Sequence, residues 1–262
     1  MRSPKTIVRK HLYVYAVVAG RPSARALTSL PTLPGGSSPR LLPLDRTTAL
    51  VVADVPADSF DARTIESKLG DLDWVSRCGA AHHAVPDALI ESHAVVPLRL
   101  FTLFSSEAKA LATFRKSKAR IGKAMTRVKG RQEWVLRIGR PDPARLASNG
   151  EDRYAQGGEG KSGTSFLRAK ADVKRARIEQ SNRVAAETAR LFDSLDTLAD
   201  ASTTRPVAPG TNLLLDAAFL IPKRRTEALR RTLSERARVL LEDGCQISLT
   251  GPWPPYSFAS VD

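Results

Sequence analysis

Every strongly apolar run in this chain is short. Leu12–Val18, Thr48–Val55, Val95–Leu100, Gln132–Gly139, Leu213–Ile221 and Cys245–Thr250 have strand length and are rich in β-branched and aromatic residues, and they read as β-strands. Pro97 marks the third as an edge or an irregular end, and the nearly continuous apolar run Leu213–Ile221 suits a central strand. Between the strands, apolar residues recur at spacings of three and four, the period of one helix face. Trp74, Cys78, Ala81, His82, Val85 and Leu89 follow such a stripe, in a helix opened by Asp73 and interrupted by Pro86, where a kink or a restart is expected. Leu111, Phe114, Ile121, Met125 and Val128 follow another, capped by Ser105 or Ser106 and interrupted by Lys118. Ser165 to about Leu198 lacks Pro and Gly and is the longest helix candidate, with Val184, Leu191, Leu195 and Leu198 as its stripe. Thr226–Leu241 is the last, stopped at Asp243-Gly244.

This order predicts an α+β fold in two domains, residues 1–128 and 129–262. The prolines of residues 21–43 and the stretch 201–210 read as loops. Residues 140–163, with Gly157, Gly158, Gly160 and Gly163, read as a flexible linker or disordered loop in the second domain. The chain closes on a tail stiffened by Pro252, Pro254 and Pro255.

Hydrophobic residues make up 42% of the 262, enough for a real core. The formal charge of +14, from 41 basic and 27 acidic residues, favours acidic partners, although cations spread along helices also serve as solvated faces. The run Leu12–Ala19 is too short to span a bilayer, and the expectation is a soluble cytoplasmic protein that does not enter membranes. Cys78 and Cys245 have no CxxC spacing, which predicts two buried free thiols.

No nucleophile elbow, Ser–His–Asp spacing or dinucleotide fingerprint is present. Gly157-Gly158-Glu159-Gly160-Lys161-Ser162 superficially resembles a phosphate loop, but it lacks the first glycine at the required spacing and a preceding apolar strand. Cys78 and His82 lie one turn apart, which is too few ligands for a metal, so a packed, hydrogen-bonded histidine is expected. No catalytic, cofactor-binding or metal-binding residue is therefore assigned, and no enzymatic activity is expected.

Three passages resemble the gas vesicle accessory proteins of the GvpF/GvpL family. They are Tyr13-Val14-Tyr15-Ala16-Val17-Val18; the run Trp74…Ala81-His82…Val85 followed by Val96-Pro97-Leu98-Arg99-Leu100-Phe101-Thr102-Leu103-Phe104; and Leu249-Thr250-Gly251-Pro252-Trp253-Pro254-Pro255-Tyr256-Ser257-Phe258. The last string is the most specific. The family usually carries Pro-Leu-Arg-Phe-Gly-Thr where this chain has Pro97-Leu98-Arg99-Leu100-Phe101-Thr102, and the lost glycine predicts a different backbone turn there. Pro86 and the high positive charge are further departures.

The resemblance implies a modified ferredoxin-like first domain and a C-terminal α+β domain with a long helix. It implies a minor structural component of the gas vesicle that binds the small hydrophobic shell protein GvpA, and other gas vesicle accessory proteins, during nucleation and assembly. The residues it singles out for partner contact or family motif are Arg99, Thr102, Trp253, Pro254, Pro255 and Tyr256. Taken by themselves, Arg99 in an apolar strand suggests a structural ion pair, and the rigid aromatics of the tail suggest docking on their own domain. The alternative is a basic nucleic-acid-binding module with a ferredoxin-like sheet. Its stacking aromatics would have to be Tyr13, Tyr15 and Trp134, which no RNP-like string surrounds, so no specific nucleic acid is expected as a partner.

Overall fold

The computed structural model describes residues 9–140 and 163–259, so the glycine-rich linker expected over 140–163 falls almost wholly outside the described residues. The chain divides into two compact units, residues 1–132 with 253–262, and residues 133–252. The sequence reading carried its second domain to residue 262, but the tail from Trp253 groups with the first unit.

The first unit contains β1 (Lys10–Ala19), α1 (Ala24–Thr28), β2 (Arg40–Pro43), β3 (Thr48–Pro56), α2 (Ala62–Lys68), α3 (Leu72–Leu89), β4 (Val95–Pro97), β5 (Leu103–Phe104), α4 (Glu107–Lys116) and α5 (Lys118–Val128). Its sheet has the order β2-β3-β1-β4, with β5 also on β1. The series β1-α1-β2-β3-α3-β4 is the βαββαβ order of a ferredoxin-like domain, and α4 with α5 is the addition.

The first strand is apolar on both faces because both faces are covered. Tyr13, Tyr15 and Val18 join Trp74, Cys78, Ala81, Val85 and Leu89 of α3 in one core. Leu12, Val14 and Val17 join Phe114 of α4 and Ile121, Met125 and Val128 of α5 in the other. A β-bulge breaks the alternation. Val14 pairs with Val52 and Ala16 with Val51, leaving Tyr15 as the extra residue. Tyr15 and Ala16 therefore face the same core, and the parity of the strand reverses beyond them.

Local chemistry accounts for the helix starts. Asp61 caps α2 by accepting from Thr64 N–H at 2.9 Å, and Asp71, not Asp73, caps α3 by accepting from Trp74 N–H at 3.0 Å. The helix does not end and restart at Pro86: α3 runs as one helix to Leu89. Pro86 lies in the last turn, where its missing N–H costs one bond to the carbonyl of His82. The helix expected beyond Ser106 is two helices meeting at Ser117. The loop expected over 21–43 holds α1 and the edge strand β2.

The second unit contains most of β6 (Arg131–Gly139), then α6 (Gly163–Asp196), β7 (Ala201–Thr204), β8 (Leu213–Pro222), α7 (Thr226–Arg236), α8 (Arg238–Glu242) and most of β9 (Gln246–Trp253). Its sheet has the order β7-β8-β6-β9, so β8 is interior, as its apolar sequence requires. Trp134, Leu136 and Ile138 of β6 pack with Val184, Leu191 and Leu195 of α6 and Leu229 of α7. Two strand assignments differ from the sequence reading. Ala201–Thr204 is an edge strand paired with β8, although its residues carry little hydrophobic signal. The last strand runs through Gly251 and Pro252 to Trp253 instead of stopping at Thr250.

Candidate functional site

In the first unit, β1, α3, the segment between β4 and β5, and the tail converge on one histidine. β4 and β5 lie along the same edge of β1, with Pro97 opposite Ala16 and Leu103 opposite Tyr13. Residues 98–102 interrupt this edge opposite the bulge at Tyr15. Leu98 N–H donates to the Tyr15 carbonyl and Val14 N–H donates to the Thr102 carbonyl, both at 2.9 Å. Thr102 Oγ1 donates to the Arg99 carbonyl at 2.7 Å and closes the turn.

A chain of buried hydrogen bonds holds this turn from beneath. His82 Nε2 lies 3.0 Å from the Leu98 carbonyl. A carbonyl only accepts, so the proton is on Nε2 and Nδ1 is an acceptor. Tyr13 Oη accordingly donates to Nδ1 at 2.8 Å and accepts from Phe101 N–H at 3.2 Å. Burial holds the imidazole well below its ordinary value, at about 4, and burial likewise raises the Tyr13 phenol far above its usual range. Both groups are neutral at physiological pH. Their role is to fix the edge turn by geometry.

Phe101 sits at φ 63, a left-handed conformation unusual for an aromatic residue. It occupies the position where the GvpF/GvpL pattern has glycine. The backbone at this position is one that glycine adopts freely, and the Phe101 ring stacks on Trp74 at 5.5 Å and 10°. The substitution adds an aromatic contact and carries strain of about 1 kcal/mol. Phe101→Gly is expected to be about 1 kcal/mol more stable than Phe101→Ala, since both lose the ring and only glycine relieves the strain. Urea unfolding of the two variants side by side tests this, and equal midpoints would contradict it.

The tail docks on α3, in the first unit. Pro254 and Pro255 are buried, and Phe258 is buried with the Arg127 guanidinium over its ring at 5.7 Å. The Trp253 ring lies 5.3 Å from His83, and the Tyr256 ring lies 5.8 Å from His83 and 6.4 Å from His82. Thus Trp253 and Tyr256 reach the His82–His83 pair, and the turn bearing Arg99 and Thr102 is tied to His82 through the Leu98 carbonyl. Arg99 is not inside a strand, as the sequence suggested. Pro97 ends β4, and Arg99 is exposed on the turn. Sequence reasoning missed His83 as the tail's platform and the Tyr13 hydroxyl as the linchpin. Two phenols, Tyr13 and Tyr15, within a buried strand were the available signal, but sequence does not tell which of them finds partners.

Beside this turn lies a groove of about 510 Å3, lined by Phe60, Ile65, Leu69, Phe101, Leu103 and Phe104 among others. Leu69 is 55% exposed, and the neighbouring α3 begins with Leu72 at 77%. Tyr13, Tyr15 and Trp134, the aromatics a nucleic-acid-binding sheet would have to display, are all buried. Cys78 and Cys245 are buried free thiols. Among the described residues no three His, Cys, Asp or Glu side chains gather as metal ligands, and no helix is long and apolar enough to cross a membrane.

Comparison with known proteins places this arrangement. Residues 11–260 match the family model described as gas vesicle synthesis protein GvpL/GvpF. The chain is 33% identical over 256 residues to gas vesicle protein L of Streptomyces sp. (strain CB03234), covering 95% of this chain and 92% of that one. Its fold is similar to the crystal structure of GvpF from Anabaena sp. PCC7120, with a TM-score of 0.68 at 15% identity over 97% of both chains. It is also similar to GvpF from Microcystis aeruginosa, with a TM-score of 0.65 at 15% identity over 95% of this chain and 99% of that one.

Proposed function

This chain belongs to the GvpL/GvpF family of gas vesicle synthesis proteins, and we propose that it carries out its accessory role by binding the small hydrophobic shell protein GvpA and assisting vesicle nucleation and assembly, without catalysis. The observation that carries the reading is the apolar groove beside the motif turn, where Ile65, Leu69, Phe101 and Leu103 lie together on a surface that water would otherwise wet. An aggregation-prone partner needs such a surface to cover its own apolar residues while it awaits assembly. The His82 chain supports the non-catalytic part, because both ring nitrogens are committed to holding the turn. The tail, docked on α3, stiffens the same region.

The test is capture of purified GvpA by the full chain, with and without Leu69→Glu. Leu69 is more than half exposed, so the substitution should leave the melting temperature nearly unchanged. A charge in the groove should weaken capture by about tenfold or more. If the wild-type chain captures no GvpA, or if the variant captures it equally well, the groove reading is wrong.

A further inference from the structure

The helical layer on the other side of the first unit's sheet presents an almost purely cationic exterior. From Glu107 to Lys129 it carries Lys109, Arg115, Lys116, Lys118, Arg120, Lys123, Arg127 and Lys129 against one carboxylate, that of Glu107. Glu107 is engaged by Arg40 at 2.7 Å, Lys118 by Asp45 at 3.2 Å, and Arg127 lies over Phe258. The remaining cations are exposed, and among the described residues no carboxylate lies within 4.0 Å of them.

The fold uses some of these charges, in the last turn of α4 (Arg115 and Lys116), in the Lys118–Asp45 pair and at Arg127 over Phe258, but the start of α5 runs against it. The first turn of α5 holds Lys118 and Arg120, no acidic residue and no side-chain cap, so its charge opposes the helix dipole. Within α5, Arg120 and Lys123, and Lys123 and Arg127, stand three or four residues apart, and each like-charged pair disfavours the helix by about 0.2–0.5 kcal/mol. The buried stripe of α5 would fold equally well with mixed charges outside. Cations with no carboxylate partner inside the protein, Arg120 reaching only the Ser117 hydroxyl at 3.1 Å, point to an external source of negative charge.

We propose that the exposed face of α4 and α5 docks a carboxylate-rich helical segment of a partner protein. The proposal rests on the accessory role above, which makes other gas vesicle proteins the available partners. Cations one helical turn apart, about 5.4 Å, match carboxylates three and four residues apart on a facing helix. The exposed residues of the two helices include no aromatic to stack on a base and no large apolar side chain to enter a bilayer.

The experiment uses the full chain near physiological salt and two probes: a synthetic alanine-based helix bearing glutamates three and four residues apart, and a short DNA duplex. The variant is Lys116→Glu/Arg120→Glu/Lys123→Glu. The control, Lys170→Glu/Lys174→Glu/Arg175→Glu, makes the same charge change on the exposed part of α6. The α5 variant should bind the peptide at least about tenfold more weakly, given roughly 0.5 kcal/mol for each exposed pair and reversal at three positions. Its melting temperature should stay close to that of wild type, because all three side chains are exposed, and the α6 control should bind within about twofold of wild type. Equal losses in both variants would mean that net charge, and not this face, attracts the peptide. Tighter binding of the duplex, lost in the α5 variant alone, would make the face a nucleic-acid surface; either result overturns the proposal, as does no peptide binding at all. Capture of GvpA by the groove should survive in the α5 variant, so failure of that capture in the wild type counts against the accessory reading separately.

Discussion

His82→Ala is expected to cost the first unit about 3 kcal/mol, because it strands the Leu98 carbonyl and the Tyr13 hydroxyl and opens a cavity beneath the edge turn. Tyr13→Phe keeps the ring and removes only the bridge between Phe101 N–H and His82 Nδ1, so it should cost about 2 kcal/mol. Tyr15→Phe, in the same core, should be nearly neutral, since that hydroxyl makes no hydrogen bond to a described group. The histidine also predicts a pH dependence of definite sign. Its folded value of about 4 lies below the ordinary 6.5, so the unfolded chain binds the proton first. This contribution is fully present above pH 6.5 and is lost as pH falls through about 4, amounting to about 3 kcal/mol over that window. Equilibrium unfolding across these pH values should show the loss in wild type and a much flatter profile in His82→Gln. Parallel profiles would show that the imidazole is not held neutral by its burial.

Gly251→Ala should be the most damaging single methyl addition in the second unit. Gly251 has φ +142, and a Cβ there would stand 2.9 Å from the Glu133 carbonyl oxygen and 3.0 Å from the Trp134 ring. The carbonyl belongs to the adjoining strand β6 and cannot rotate away, and the ring is locked in the core. Backbone strain and overpacking together should cost about 3 kcal/mol. The measurement is unfolding followed by tryptophan fluorescence, and a variant within about 1 kcal/mol of wild type would mean that the strand relaxes locally. The result bears on function because β9 carries the chain from this glycine directly to Trp253, so a displaced strand end also displaces the tail.

Strand and helix types were legible wherever burial imposes a period. Trp74, Cys78, Ala81, His82, Val85 and Leu89 fall on one buried face because only one face of α3 meets the sheet. β8 is continuously apolar because it is interior. The family motifs were equally legible, since rare strings such as Gly251-Pro252-Trp253-Pro254-Pro255-Tyr256 are visible without any structure. β7 was not, because an edge strand takes its stability from pairing with β8 and not from apolar side chains of its own.

What only the tertiary structure decided was which distant groups meet. Leu98 and Phe101 are separated from Tyr13 by more than eighty residues, and no periodicity signals that their backbone groups will share one phenol and one imidazole. Nothing local to position 101 shows that hydrogen bonds from β1 and α3 fix the backbone around it in a left-handed conformation, or that stacking on Trp74 accommodates the aromatic ring. The tail likewise appeared to belong with the strand that precedes it. Local propensity ends at the strand, whereas docking follows the surface that best buries Pro254, Pro255 and Phe258, and that surface lies in the first unit. Local sequence therefore set the elements and the family motifs, while non-local hydrogen bonding and burial set the site, because such contacts depend on three-dimensional proximity that no sequence period encodes.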